Sequence, residues 1–309
     1  MTDWYPRDLR GYGRRPPHPR WPGDARVAIS FVLNVEEGGE RSPLEGDAGA
    51  ETYLHDLSAA PMPPGARHTG VESLFDYGAR AGFWRLLRQF ETHGLPLTAF
   101  AVGRALEVNP DAGAALAELG HETAGHGYRW IDYRDVPEDV EREHIRRTVV
   151  AIEAATGRRP VGWYTGRVSP ATRRLLVEEG GFRYDSDSYA DDLPFWVRAG
   201  SAEHLVIPYS LVTNDMRFVT APGVATGDDL FGVLQGAFDL LWEEGGEAPS
   251  LMSVGLHPRI SGHPARAAGV ARFLDHVASR DRVWVCRRMD VAEHWARTHG
   301  HRTSGPGTS

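Results

Sequence analysis

Short apolar runs alternate with amphipathic stretches of helical length through about seven units of this 309-residue chain. No composition break divides the series. Sustained strand–helix alternation directs a chain into a parallel α/β fold. Residues 26–33 (Arg-Val-Ala-Ile-Ser-Phe-Val-Leu) are nearly continuously apolar, as expected of a strand buried on both faces. Residues 97–102 form a second such run. In 80–93, Phe83, Leu86, Leu87 and Phe90 recur at helical spacing. Asn109-Pro110-Asp111 opens a helix that runs to 119, with Gly120 as its C-cap. A strand at 122–124, a helix at 137–156 stopped by Gly157, and a strand at 160–164 follow. Ser169 and Pro170 suit the N-cap and first position of the next helix. The pattern continues with strands at 183–184 and 204–209, a helix at 228–244 and a strand at 250–256. It ends with a helix at 266–279, a strand at 283–286 and a helix at 289–298.

A single (β/α) barrel fits this length. The Gly11-Tyr12-Gly13 sequence precedes the first strand, so it is not the dinucleotide fingerprint of a doubly wound sheet. Residues 38–70 are rich in Gly, Pro and small polar residues and read as a long excursion, of a length often functional. The expected layout is an N-terminal extension (1–25) packing on the barrel, the barrel itself (26–299), and a disordered Gly/Ser/Thr-rich tail (300–309).

Composition narrows the function. A formal net charge of −8 argues against nucleic-acid and anionic-membrane partners. The chain has no apolar run long enough to span a bilayer, and residues 1–21 lack the layout of a signal peptide. A cytoplasmic location is expected. Cys286 is the only cysteine, which excludes an intrachain disulfide and a thiolate metal cluster. All 34 basic residues are arginine. Schiff-base chemistry through lysine is therefore excluded, as is a carboxylated lysine bridging two metals.

In a parallel barrel the active site lies at the C-terminal strand ends. Polar residues just past the expected strands are Asn34, Glu36 and Glu37, then His126, then Tyr164, Thr165 and Arg167, then Asp185 and Asp187, and finally His257. Each has a plainer reading taken singly. The carboxylates could be solvated, His126 a core histidine, Trp130, Trp163 and Tyr164 packing groups, and Arg167 a surface ion pair. Convergence at one mouth is what favours function. One gap stands out. A histidine four residues after His126 would complete a His-x-x-x-His metal pair, but position 130 is Trp130, whose indole only donates.

His126 after Gly120-His121-Glu122, the strand-end acids and Leu256-His257 resemble the polysaccharide deacetylase superfamily. Its metal-free allantoinase branch is similar through Tyr5-Pro6-Arg7-Asp8-Leu9, Gly11-Tyr12-Gly13-Arg14 and the stretch from Asn34 to Arg41. Further similarity lies in Glu72-Ser73-Leu74, Tyr77 to Gly82, His126 to Tyr133, Gly162 to Arg167, Tyr184 to Asp187 and Thr213 to Phe218. The likeness extends from Tyr5 to about His299.

The resemblance implies a distorted (β/α) barrel of the deacetylase type. Deacetylases hold a metal on Asp/His/His. Here Asn34 and Glu36 match the two strand-end aspartates and Trp130 replaces one histidine. Two ligands, Glu36 and His126, are too few for a tight catalytic zinc site with three protein ligands. The branch implies no cofactor and hydrolytic ring opening of allantoin. Glu36 is then the expected base, its pKa raised by a dry pocket, with Glu37 as the alternative. His126 and His257 would orient water or donate to the oxyanion and leaving nitrogen. Asn34, Tyr164, Arg167 and Asp185 would bind the substrate, with Trp130 and Trp163 walling a flat ring. A homo-oligomer is also implied, with a tetramer as the form to test. The rival enzyme reading is a deacetylase or amidase of the same superfamily with a weakly held metal. The rival outside catalysis is a binding barrel.

Overall fold

The computed structural model describes residues 5, 7–57, 62–200, 202–221 and 223–300. The expected disorder of the tail concerns 300–309, of which 301–309 lie outside the described residues. In chain order the elements are β1 (Val27–Val35), α1 (Thr69–Tyr77), α2 (Phe83–His93), β2 (Thr98–Ala101), α3 (Gly103–Val108), α4 (Pro110–Glu118) and β3 (Glu122–Gly125). Next come α5 (Glu138–Thr156), β4 (Gly162–Trp163), α6 (Thr172–Glu179), β5 (Tyr184–Asp185), β6 (Phe195–Ala199) and β7 (Ala202–Val206). The last are α7 (Gly227–Glu244), β8 (Ser250–Leu256), α8 (Pro258–Ser261), α9 (Pro264–Ala278), β9 (Val283–Val285) and α10 (Arg288–Thr298).

The strands form one curled α/β sheet, in the order β6-β7-β5-β4-β3-β2-β1-β8. β9 pairs with the first half of β1 and β2 with its second half, opposite β8. Among the described residues, no strand ladder joins β6 or β7 to β8. Loop segments stitch that seam: Gly255 N donates to Thr213 O at 3.0 Å and Leu251 N to Asp192 O at 2.8 Å. β6, which the expected series of strands did not include, runs antiparallel to β7. Its half-buried Phe195, Trp196 and Val197 suit an edge strand that needs no crossover helix.

The expected helix at 80–93 starts earlier. α1 begins at Thr69, capped by His68 Nδ1 accepting from Val71 N, and continues into α2 through one π turn at Gly78–Gly82. Glycine is required there because a Cβ on Gly82 would fall 2.0 Å from Pro258 O of α8. The core lies between the sheet and the helices, with Phe31 against Phe90 and Phe273. Burying each such side chain contributes roughly 1.5–3 kcal/mol. The N-terminal segment packs through Trp21, whose indole N–H donates to Ser250 O at 3.0 Å and whose ring meets Trp284 and Trp295. Among the described residues, no helix is long and apolar enough to cross a membrane.

Candidate active site

Side chains alternate along a strand, so parity decides which of them meet. In β1, Ile29, Phe31 and Leu33 face the helices, whereas Val32 packs inside the barrel with Phe100, Ala124, Tyr164 and Tyr209. Asn34 and Glu36 continue the inward set, joined by His126 after β3, Tyr164 after β4 and His257 after β8. They border a cavity of about 220 Å³ together with Trp130 and Arg167. Tyr53 and Leu54 of the 38–70 excursion form one wall. That excursion is fastened beside the mouth: Arg129 Nη2 reaches Glu40 O at 2.7 Å and Asp47 at 2.6 Å, and Trp130 N reaches Gly39 O at 2.7 Å.

Three expected site residues lie elsewhere, all for reasons of parity. Glu37 points outward against the π turn, where its carboxylate accepts from Glu36 N at 3.2 Å and Arg259 N at 3.3 Å. Trp163 packs outward with Ile145, Leu175 and Leu176. Asp185 is buried in an ion pair with Arg173 of α6 at 2.7 Å and lies 3.2 Å from His204.

Glu36 is the centre of the polar cluster and is 1% exposed. Its Oε1 lies 3.0 Å from His126 Nε2 and 3.6 Å from His257 Nε2, and its Oε2 lies 2.7 Å from Arg259 Nη2. His126 Nδ1 is 2.7 Å from Tyr164 O, a carbonyl that only accepts, so that nitrogen carries a proton. The ring stacks on Tyr164 at 5.2 Å. His257 is fixed by Asp215: Nδ1 lies 2.6 Å from Oδ1, and the His257 backbone N–H donates to Oδ2 at 2.7 Å. Arg259 also donates from Nε to Leu54 O at 3.1 Å, tying the excursion to Glu36. Its guanidinium lies over Phe75 at 4.5 Å and Trp130 at 4.8 Å. Trp130 stacks on Tyr53 and carries Arg167 at 4.4 Å.

The electrostatics reverse one expectation. Burial alone would raise Glu36, but the Arg259 and His257 charges and the His126 hydrogen bond outweigh it and hold the carboxyl well below its ordinary range. Burial opposes the charge on His257, yet Glu36 and Asp215 lift it to about 9. Glu37 moves the other way: burial dominates and pushes it up. At neutral pH the cavity therefore holds an ionised carboxylate beside an imidazolium. Two groups whose environments separate their pKa values in this way suit a base and an acid.

The donor set does not fit the metal that the deacetylase resemblance raises. Among the described residues, no group of three His, Cys, Asp or Glu is arranged to hold an ion. Trp130 offers no lone pair. Arg259 already places a fixed cation on the outer oxygen of Glu36.

Arg259, Asp215 and Tyr209 were not among the expected site residues. Arg259 had a local signal, two residues after His257, and Asp215 lay inside the Thr213 to Phe218 stretch. Tyr209 had one too, as the last residue of the strand expected at 204–209, although the observed strand ends at Val206.

The chain is similar in sequence and fold to several known proteins. The profile described as polysaccharide deacetylase matches residues 66–183. A Schizosaccharomyces pombe protein assigned by name to the polysaccharide deacetylases is 41% identical over 96% of this chain and 98% of its own. A crystal structure from Pseudomonas aeruginosa PAO1, likewise assigned by name, is 54% identical with TM-score 0.94, covering 96% of this chain and 100% of that one. The crystal structure of Puue allantoinase is 52% identical with TM-score 0.94, covering 96% and 99%. The chain belongs to the polysaccharide deacetylase family, hydrolases of C–N amide bonds.

Proposed function

We propose that the protein is an allantoinase that opens the hydantoin ring of allantoin by hydrolysis without a metal. The observation that carries the reading is the Glu36–Arg259 pair at 2.7 Å, a side-chain cation in contact with the carboxylate that a metal would otherwise engage. The small cavity, walled by Trp130, Tyr53 and Tyr164, suits a flat heterocycle. The identity and structural likeness to Puue allantoinase support the same choice.

In this reading Glu36 takes a proton from water as the water oxygen bonds to the ring carbonyl carbon. His257 gives its Nε2 proton to the ring nitrogen as the C–N bond breaks, and that nitrogen leaves as part of a urea. Proton transfer of this kind supplies roughly 10²–10⁴-fold. Asp215 holds the His257 ring, and Arg259 keeps Glu36 ionised. His126 shares its Nε2 contact with Glu36 and orients the water. Arg167 and Asn34 bind polar groups of the substrate.

The test compares allantoin with N-acetylated amino sugars as substrates. Turnover of allantoin alone supports the reading. Release of acetate with no action on allantoin overturns it in favour of a deacetylase.

A further inference from the structure

Tyr209 is 4% exposed and borders the cavity. Its phenol oxygen lies 3.1 Å from Asn34 Nδ2 and 3.1 Å from Asn214 Nδ2. A phenol both donates and accepts, so the direction of these bonds depends on how the two amides are turned. Backbone groups fix both. The same Asn34 nitrogen is 3.1 Å from Leu256 O, which only accepts. Asn214 Oδ1 accepts from Met216 N at 2.9 Å, a group that only donates, so its Nδ2 is what faces Tyr209. Both amides therefore donate to the phenol oxygen and occupy its two lone pairs. Its own proton must turn elsewhere. Among the described residues, the phenol's only hydrogen-bond partners are these two donors.

The ring cannot swing to find another acceptor. It is held edge-on against Phe100 and Tyr164 at 5.5 and 4.8 Å. The oxygen is pressed to β8 so closely that a Cβ on Gly255 would fall 2.2 Å from it. Burial moves the phenol pKa above its usual value, so the proton stays on the oxygen.

We infer that Tyr209 donates this hydrogen bond to the substrate carbonyl oxygen and stabilises the negative charge formed when water adds. The inference rests on the amide hydrolysis proposed above and supplies its oxyanion partner. As the water oxygen bonds to carbon, the carbonyl electron pair moves onto the oxygen facing Tyr209. It returns as the C–N bond breaks, and Tyr209 keeps its proton throughout. Asn34 and Asn214 are positioning residues that aim the proton. A carboxylate at position 34 would accept from the phenol and draw its proton out of the cavity, which gives Asn34 a reason beyond the loss of a base.

The experiment measures allantoin turnover by wild type, Tyr209→Phe and Asn34→Asp, with calorimetric melting of each. The expected result for Tyr209→Phe is a kcat lower by about 10²–10³-fold with KM within about threefold. Asn34→Asp loses kcat in the same direction while retaining Tyr209. An unchanged kcat in folded Tyr209→Phe overturns the assignment, as does a loss that appears in KM alone. If wild type does not turn over allantoin, the function proposed above fails, and the donor is read from hydantoin binding by titration calorimetry. Binding weakened at least about tenfold in Tyr209→Phe then supports it. Equal affinity, or no binding to wild type, overturns it.

Discussion

Replacing Arg259 with Met removes the cation while still covering the faces of Phe75 and Trp130. Arg259 is 1% exposed and 2.7 Å from Glu36, with Glu37 at 3.4 Å. With an effective dielectric of about 20, the nearer contact at 2.7 Å contributes attraction of about 6 kcal/mol. Relief of the guanidinium's desolvation offsets part of that loss. The expected net destabilisation is about 3–5 kcal/mol at neutral pH, the cost of leaving a buried partner charge unpaired. Denaturant unfolding with guanidinium chloride reads this directly. The same variant should move the acid limb of the turnover–pH profile upward by more than about one unit, because burial then raises Glu36 against fewer opposing charges. Adding Glu36→Gln to Arg259→Met should recover part of the stability, since no carboxylate is then stranded at position 36. Unfolding within about 0.5 kcal/mol of wild type, together with an unmoved acid limb, would refute the reasoning.

Other expected outcomes separate the neighbouring groups. Glu36→Gln should lower allantoin turnover by at least about 10²-fold. Glu37→Gln should lower turnover far less, because Glu37 points away from the cavity; kinetics on the two variants check both. In the proposed reaction His257 acts as the protonated group, so turnover should fall as pH rises through about 9, and Asp215→Asn should move that limb to lower pH. The folded pKa of His257 is raised, so its contribution to stability is full below an unfolded pKa of about 6.5 and is lost as pH rises through about 9, which pH-dependent unfolding would follow. Asp185→Asn should cost about 3–5 kcal/mol by breaking the buried ion pair with Arg173 while leaving KM unchanged, a contrast that melting and kinetics reveal together.

Much of the architecture was legible because apolar period and helix caps are local signals. The antiparallel β6 and the early start of α1 were not, since both depend on contacts across the molecule. β6 is a half-buried edge, and the π turn exists because Gly78 and Gly82 press on α8. The site shows the same division. Searching past the strand ends found Asn34, Glu36, His126, Tyr164 and His257, which the fold brings together. Position past a strand does not reveal facing, so Glu37 and Asp185 read as site residues as well, and the family resemblance added Trp163. Parity would have separated them: Glu37 is out of step with Asn34 and Glu36, and Trp163 with Gly162 and Tyr164. Arg259 was passed over because the search stopped at His257. Tyr209 closed the strand expected at 204–209, but its place in the site shows only through two amide partners, one on β1 and one five residues further on.

In the proposed reaction, side chains supply the electrostatics of the site in place of a metal. The most direct measurement is allantoin hydrolysis by protein stripped with a chelator, with elemental analysis of the same sample. The predicted result is full turnover with substoichiometric metal and no gain on adding zinc. Loss of turnover on stripping, restored by zinc, would contradict it.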